Sequence, residues 1–252
     1  MLFVESTLKG YAIEGSDGRI GVVRDFLFDD RSWKIRWLAI DAGSWLHRRD
    51  ILLHPSALAL PEPLRRSIAV KLTKAEVEAS PDFLEHQPVS QQMEAHLYDY
   101  YGWDPSWGNS YFGWGAIATP LSSPPLFDSF PPEAAVVAVN PEEADTHLRS
   151  TSEVTGYHVH AIDGEIGGVE NFVFDHANWD IRYFGVDTGS WCAEKHILIS
   201  PHAVREIDWA GRHVELNITR AQVNASPPWD FLAMIDRPYE RQLHRHYGWP
   251  SY

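Results

Sequence analysis

"GYAIEGSDGRIGVVRDFLFDDRSWKIRWLAIDAGSWLHRRDILLHPSAL" (residues 10–58) aligns without a gap on "GYHVHAIDGEIGGVENFVFDHANWDIRYFGVDTGSWCAEKHILISPHAV" (156–204), with about 21 identities in 49 positions. Agreement over so long an uninterrupted stretch marks an internal duplication with an offset of 146, and a repeat of this kind decides the domain organisation before any element is assigned. The offset persists between "LTKAEVEASP" (72–81) and "ITRAQVNASP" (218–227), and between Tyr101-Gly102-Trp103 and Tyr247-Gly248-Trp249. The expected organisation is a first repeat with a tail helix at 1–103, a linker at 104–150, and a second repeat with a tail helix at 151–252. The linker is rich in Pro, Ser, Gly and aromatic residues ("DPSWGNSYFGWG", "TPLSSPPLFDSFPP"), a composition that opposes regular structure until a short helix expected from Glu142 to Leu148. Its aromatics are expected to pack against a repeat.

Each repeat reads as strands and tight turns. Asp17-Gly18 and Asp163-Gly164 are hairpin signals, because glycine accepts the positive φ that a short turn requires. The runs "RIGVVRDFLF" and "EIGGVENFVF" follow, then "WKIRWLAID" and "WDIRYFGVD", then "DILLHP" and "HILISP", with a fifth strand near 67–72 and 213–218. Thr73-x-x-Glu76 and Thr219-x-x-Gln222 are capping boxes that should start short helices. A second helix is expected near 89–101 and 238–247, with Met93, Leu97 and Tyr101 at i+4 spacing and a glycine stop at Gly102 or Gly248. Five or six short strands per repeat imply a mainly β fold of two tandem small antiparallel β-barrels with short helical C-terminal tails. On the third strand, Leu38 and Ile40 share one face and Ile35, Trp37 and Ala39 the other, with Phe184, Val186, Ile181, Tyr183 and Gly185 as counterparts. Apolar residues on both faces mean that the outer face is covered, by the other barrel, the tail helix or the linker.

Gly10-Tyr11, Asp17-Gly18-x-Ile20-Gly21, Phe26-x-Phe28-Asp29, Trp33-x-Ile35-Arg36 and Asp41-x-Gly43-x-Trp45 all recur 146 residues later. With "QPVSQQ" (87–92) and the "YYGW" and "HYGW" ends, the combination resembles the tandem PRC-barrel proteins of bacteria. The family's barrel occurs in the cytoplasmic domain of the photosynthetic reaction-centre H subunit and in the C-terminal domain of a ribosome-maturation factor. The resemblance implies a docking module without catalysis of its own. The chain departs from the H subunit in having no N-terminal transmembrane helix and in carrying two barrels, and it lacks the ribosome factor's companion domain. The shared residues read as turns and core, so no catalytic, cofactor or metal residue carries over.

Composition bounds the partners. A formal charge of −14 disfavours phosphate backbones and anionic lipid surfaces, which leaves a protein partner and no direct nucleic acid. A single cysteine, Cys192, cannot close an intrachain disulfide, and there is neither a basic leader nor a run of about 18 apolar residues. The expected location is cytoplasmic, with peripheral membrane association through a partner.

Several motifs carry chemistry in other settings. Asp187-Thr188-Gly189 resembles an aspartic-protease motif, but its copy, Asp41-Ala42-Gly43, lacks the hydroxyl residue, and both read as strand-end turns. His158-x-His160, with His196 and His202 nearby, has metal-ligand spacing on one strand face, with Ala12, Glu14, Asp50 and Ser56 at the equivalent positions of the first copy. This is the basis of an alternative reading as a metal protein or enzyme, and ribosome assembly is a third. Trp33, Trp37 and Trp45, with Trp179, Tyr183 and Trp191, recur at matched sites and are assigned to inter-barrel packing or to an interface. Arg48-Arg49 and Arg65-Arg66 are too sparse to turn them into a nucleic-acid stacking platform.

Overall fold

The computed structural model describes residues 1–46, 50–80, 97–103, 148–192, 195–230 and 235–250. Each repeat builds one sheet. The first contains β2 (Ala12–Gly15), β3 (Gly18–Asp29), β4 (Lys34–Asp41), β5 (Asp50–Leu53) and β6 (Ser67–Ala69), in the order β5-β4-β3-β2-β6. The second contains β8 (His158–Ala161), β9 (Gly164–Asp175), β10 (Ile181–Asp187), β11 (His196–Ile199), β12 (Val204–Asp208) and β13 (His213–Leu216), in the order β11-β10-β9-β8-β13-β12. Short helices flank them: α1 (Glu5–Leu8), α2 (Lys74–Glu78), α3 (Thr151–Val154), α4 (Arg220–Ala225) and α5 (Arg237–Tyr247), with residues 97–101 also helical.

The hairpins form where the Asp-Gly pairs predict them, with Gly15 opposite Gly18 and Ala161 opposite Gly164. The turn aspartates also reach across the sheet. Asp17 accepts from the Lys74 backbone N–H at 2.9 Å and Asp163 from that of Arg220 at 2.7 Å, satisfying free donors at the starts of α2 and α4. Both Thr capping boxes are closed. Among the described residues the tail helices are α5, ended by the left-handed Gly248, and 97–101. The expected extent from 89, including Met93, lies outside the described residues, as do "QPVSQQ", Arg48-Arg49, and the linker at 104–147 with the helix start at Glu142.

Three expectations change. The sheets are not purely antiparallel: β2 pairs with β6, and β8 with β13, in parallel. Three antiparallel strands separate β2 from β6, so the chain returns to the far side of β2 running in the same direction. Ile35 does not share a face with Trp37, because a bulge at Arg36 breaks the alternation and turns Ile35 into the main core with Leu38 and Ile40. The same irregularity recurs between Ile181 and Tyr183. Finally, Leu148, read as a helix end, starts a strand, β7 (Leu148–Ser150).

That strand exposes the organising feature of the molecule. β7 pairs with β3 of the first sheet, placing Leu148 opposite Asp29, while β1 (Leu2–Val4) pairs with β9 of the second, placing Leu2 opposite Asp175. Each repeat therefore gives its leading strand to the other, at the same offset of 146. The exchange is closed by reciprocal backbone bonds, Ile35 N–H to Trp179 O at 2.8 Å and Ile181 N–H to Trp33 O at 2.7 Å. Reciprocal ring contacts lie beneath it, Phe26 with Phe174 and Phe28 with Phe172, each at 5.6 Å. Equivalent residues meet each other on the pseudo-twofold axis. Lys34 pairs with Asp180, Nζ to Oδ1 2.6 Å, and the Thr151 hydroxyl donates to the buried Glu5 carboxylate at 2.7 Å.

Candidate functional site

The aromatic residues singled out in the sequence occupy three kinds of position. Trp33 and Trp179 both adopt positive φ, 55° and 60°, at the tight turn entering the third strand. That backbone is costly for a bulky residue, and here both indoles are held by stacking. Trp33 lies between Phe28 and, from the second repeat, Phe184, while Trp179 stacks on Phe174 at 5.1 Å. These two residues belong to the junction between repeats. Trp45 and Trp191 are half-buried, each in the 3-10 turn after its third strand. Their indole N–H groups donate to Ile20 O at 2.7 Å and Ile166 O at 2.6 Å, and Lys74 and Arg220 lie over their faces. Each closes its own repeat.

Trp37 and Tyr183 sit under the tail helices, on the outer face that the apolar patterning requires to be covered. Trp37 packs with Leu97, Tyr98, Trp103 and His54. Tyr183 meets His244 of α5, Oη to Nε2 2.6 Å, and its hydroxyl also lies 3.1 Å from Glu240. His244 Nδ1 is 2.5 Å from the Pro250 carbonyl, which can only accept, so that nitrogen carries a proton. The Tyr-Gly-Trp ends fold over both sites alike: Tyr101 on Trp103 and Tyr247 on Trp249 each stack at 4.2 Å. His54 is fully buried in the first of these boxes. Desolvation, then the charges of Arg36 and Lys34, push its pKa down to about 3. Burial pushes Tyr247 up to about 12 and raises Tyr239 as well.

Asp41 and Asp187 each accept the backbone N–H two residues on, from Gly43 and Gly189 at 2.8 Å, which is the strand-end turn role. A cavity of about 500 Å³ opens between the N-terminus, β10 and α5, and carries both signs of charge, with Arg182, Arg237 and Arg241 facing Asp175 and Glu240. Burial favours protonation of Asp175, but bonds from Ala177 N–H and Arg182 outweigh it and hold the carboxyl below its ordinary range.

The histidines are distributed differently from the set with metal-ligand spacing. His158 is bonded to Glu165 at 2.7 Å and His196 to Glu170 at 2.8 Å, while His202 lies in the 3-10 turn capped by Ser200. His160 instead lies beside His213 and Glu215, which the parallel register of β8 with β13 brings to it. Sequence spacing does not reveal these two partners, since they are more than fifty residues away. The signal that could have found them is the alternation His213-x-Glu215 on a fifth strand placed next to the His-x-His strand.

Residues 148–223 match the PRC-barrel domain. The match begins at β7, so the PRC-barrel domain of this chain includes the strand it gives to the first sheet. It takes in β8 through β13 and the start of α4, with His160, His213, Glu215 and the junction residue Trp179 inside it. A search of curated proteins finds no match to the chain.

Proposed function

We propose that the chain is a tandem pair of PRC-type β-barrels acting as a non-enzymatic scaffold for protein partners, at the cytoplasmic side of a membrane complex in the manner of the reaction-centre H subunit. The first repeat supports the tandem reading through its 146-residue offset, its matching strand order and its reciprocal exchange with the PRC-barrel domain. No helix among the described residues is long and apolar enough to cross a membrane, so membrane association would run through the partner.

The observation that carries the scaffold reading is the turn at 58–66. Leu60 and Leu64 are 65% and 102% exposed, beside Pro61 and Pro63, which stiffen the turn that displays them. Large apolar side chains held out on a rigid turn lose little entropy on docking, which is how a few residues come to dominate an interface. The second repeat has Glu206 and Ala210 at the equivalent positions, so the two copies offer different surfaces. A photo-crosslinking residue at the exposed neighbouring position Arg65, introduced in cells, tests this directly. The expected result is one reproducible crosslinked protein, lost in the Leu60→Ser/Leu64→Ser variant. Only diffuse background across growth conditions would overturn it, and a ribosomal protein or RNA as the adduct would replace it with ribosome assembly.

A further inference from the structure

We propose that His160, His213 and Glu215 form a divalent metal site of zinc type on the outer part of the second sheet, joining β8 to β13, with a coordination position left open to solvent. Strand register brings the donors together. His213 lies opposite His158 and Glu215 opposite His160 across the parallel pair, while Asp208 lies opposite His213 and Glu206 opposite Glu215 on β12. On the other side of β8, His160 faces Glu165. Residues paired across neighbouring strands share a face, so this part of the sheet gathers three imidazoles and four carboxylates.

Within that grid the distances separate two behaviours. His158 and Glu165 are bonded to each other at 2.7 Å. His160 Nδ1 and His213 Nε2 instead both point at one oxygen, Glu215 Oε1, from 3.4 and 3.6 Å. These separations exceed a good N–H···O hydrogen bond. The first matches, and the second lies about 0.2 Å beyond, the roughly 3.3–3.4 Å between adjacent donors of a tetrahedral ion with bonds of about 2.0–2.1 Å. All three ligand atoms lie within 4.8 Å of one another, and the imidazoles stack at 5.2 Å and 20°. The three side chains are half-buried, so their positions are supported while solvent still reaches an ion.

The surroundings orient the donors. Arg205 holds the other carboxylate oxygen, Oε2, at 3.0 Å, which leaves Oε1 to face the imidazoles. Asp208 Oδ2 lies 3.7 Å from His213 Nδ1, the nitrogen not aimed at the cluster, and Asp208 is itself anchored by the Gly211 backbone N–H at 2.9 Å. A carboxylate on that side of a ligating imidazole strengthens it as a donor through its charge, the 3.7 Å separation being longer than a hydrogen bond. Two imidazoles and one carboxylate select zinc over magnesium or calcium, which favour all-oxygen sites. The first repeat has Glu14, Ser67 and Ala69 at these positions, so the site belongs to the second repeat alone.

Titration of the chelator-treated full chain with Zn²⁺, read by calorimetry and by competition with a chromophoric chelator, is expected to show one equivalent bound and a raised melting temperature. His160→Gln, His213→Gln and Glu215→Gln should each weaken binding by more than the about 10–100-fold that loss of an outer partner costs, and Asp208→Asn by about tenfold. His158→Gln should leave it unchanged. Imidazole nitrogen spectra of the wild-type chain ask the same question without substitution: two histidines, His160 and His213, should shift on adding one equivalent. Absence of saturable binding by the wild type, shifts confined to other histidines, or wild-type affinity in His160→Gln/His213→Gln would overturn the proposal.

Discussion

Replacing Phe28 by alanine tests whether the strand exchange makes the two repeats a single cooperative unit. Phe28 is fully buried, stacks on Trp33 at 5.5 Å and touches Phe172 of the second sheet at 5.6 Å. Deleting a buried phenylalanine side chain costs about 3–5 kcal/mol. For a chain of this size each kcal/mol moves the melting temperature by about 2–4 °C, so a loss of about 4 kcal/mol lowers it by about 8–16 °C. The informative part is where that loss is felt. If the first repeat unfolded alone, β1 would leave β9, and Phe172 and Phe174 would lose their cover from Phe28 and Phe26. Exposing two such rings costs about 1.5–3 kcal/mol each, or about 3–6 kcal/mol together, a large share of the 5–15 kcal/mol that holds a typical domain. The second repeat should therefore unfold with the first. Hydrogen exchange in urea, read by mass spectrometry, should show residues 50–53 and 213–216 losing protection at the same lowered denaturant concentration. Wild-type protection at 213–216 while 50–53 opens would refute the coupling.

His54 should produce an acid limb in the stability curve. Its folded pKa of about 3 lies below the ordinary 6.5, so between these values the unfolded chain binds the extra proton and stability falls as pH drops, by at most about 1.4 kcal/mol per unit. His54→Asn keeps an acceptor for the Ser56 backbone N–H and should flatten that limb in urea melts from pH 7 to 4. Gly167 has φ +141°, and an added Cβ would lie 1.9 Å from the Asp187 carbonyl oxygen, so Gly167→Ala should cost at least about 2 kcal/mol in a thermal melt. Lys34→Asp should cost about 1 kcal/mol by setting two carboxylates together on the axis, and the exchange Lys34→Asp/Asp180→Lys should recover most of it in a double-mutant cycle.

What was legible in the sequence is what local physics and duplication fix: the hairpins at Asp17-Gly18 and Asp163-Gly164, both capping boxes, the strand order of hairpin neighbours, and the burial of Trp37 and Tyr183. Strand exchange was not legible, because β1 and β7 are three residues each and carry no periodicity; only their matched positions before each Gly-Tyr hint at a shared role. The bulge at Arg36 was equally silent, since the run around it alternates without interruption and the extra residue shows only in the pairing of β3 with β4. The His160 cluster needed the parallel pairing of β8 with β13, a tertiary fact that spacing along the chain does not contain.

Duplication within one chain explains which residues could diverge. In a homodimer built from one such repeat, a residue on the twofold would face its own copy, so position 34 would set lysine against lysine or aspartate against aspartate. Joined in one chain, the two copies can differ, and Lys34 meets Asp180 while Glu5 meets Thr151. The phenylalanines beside that axis stay the same in both copies, because ring packing is satisfied by identical partners where charge is not. The same freedom extends outward: under the tail helices Trp37 with Tyr98 becomes Tyr183 with His244, exchanging ring volume for a hydroxyl–imidazole bond. On the fifth strand, Ser67 and Ala69 become His213 and Glu215. A core held in common by both repeats therefore leaves each outer face free to acquire its own chemistry, and the apolar turn of the first and the histidine cluster of the second lie on such faces.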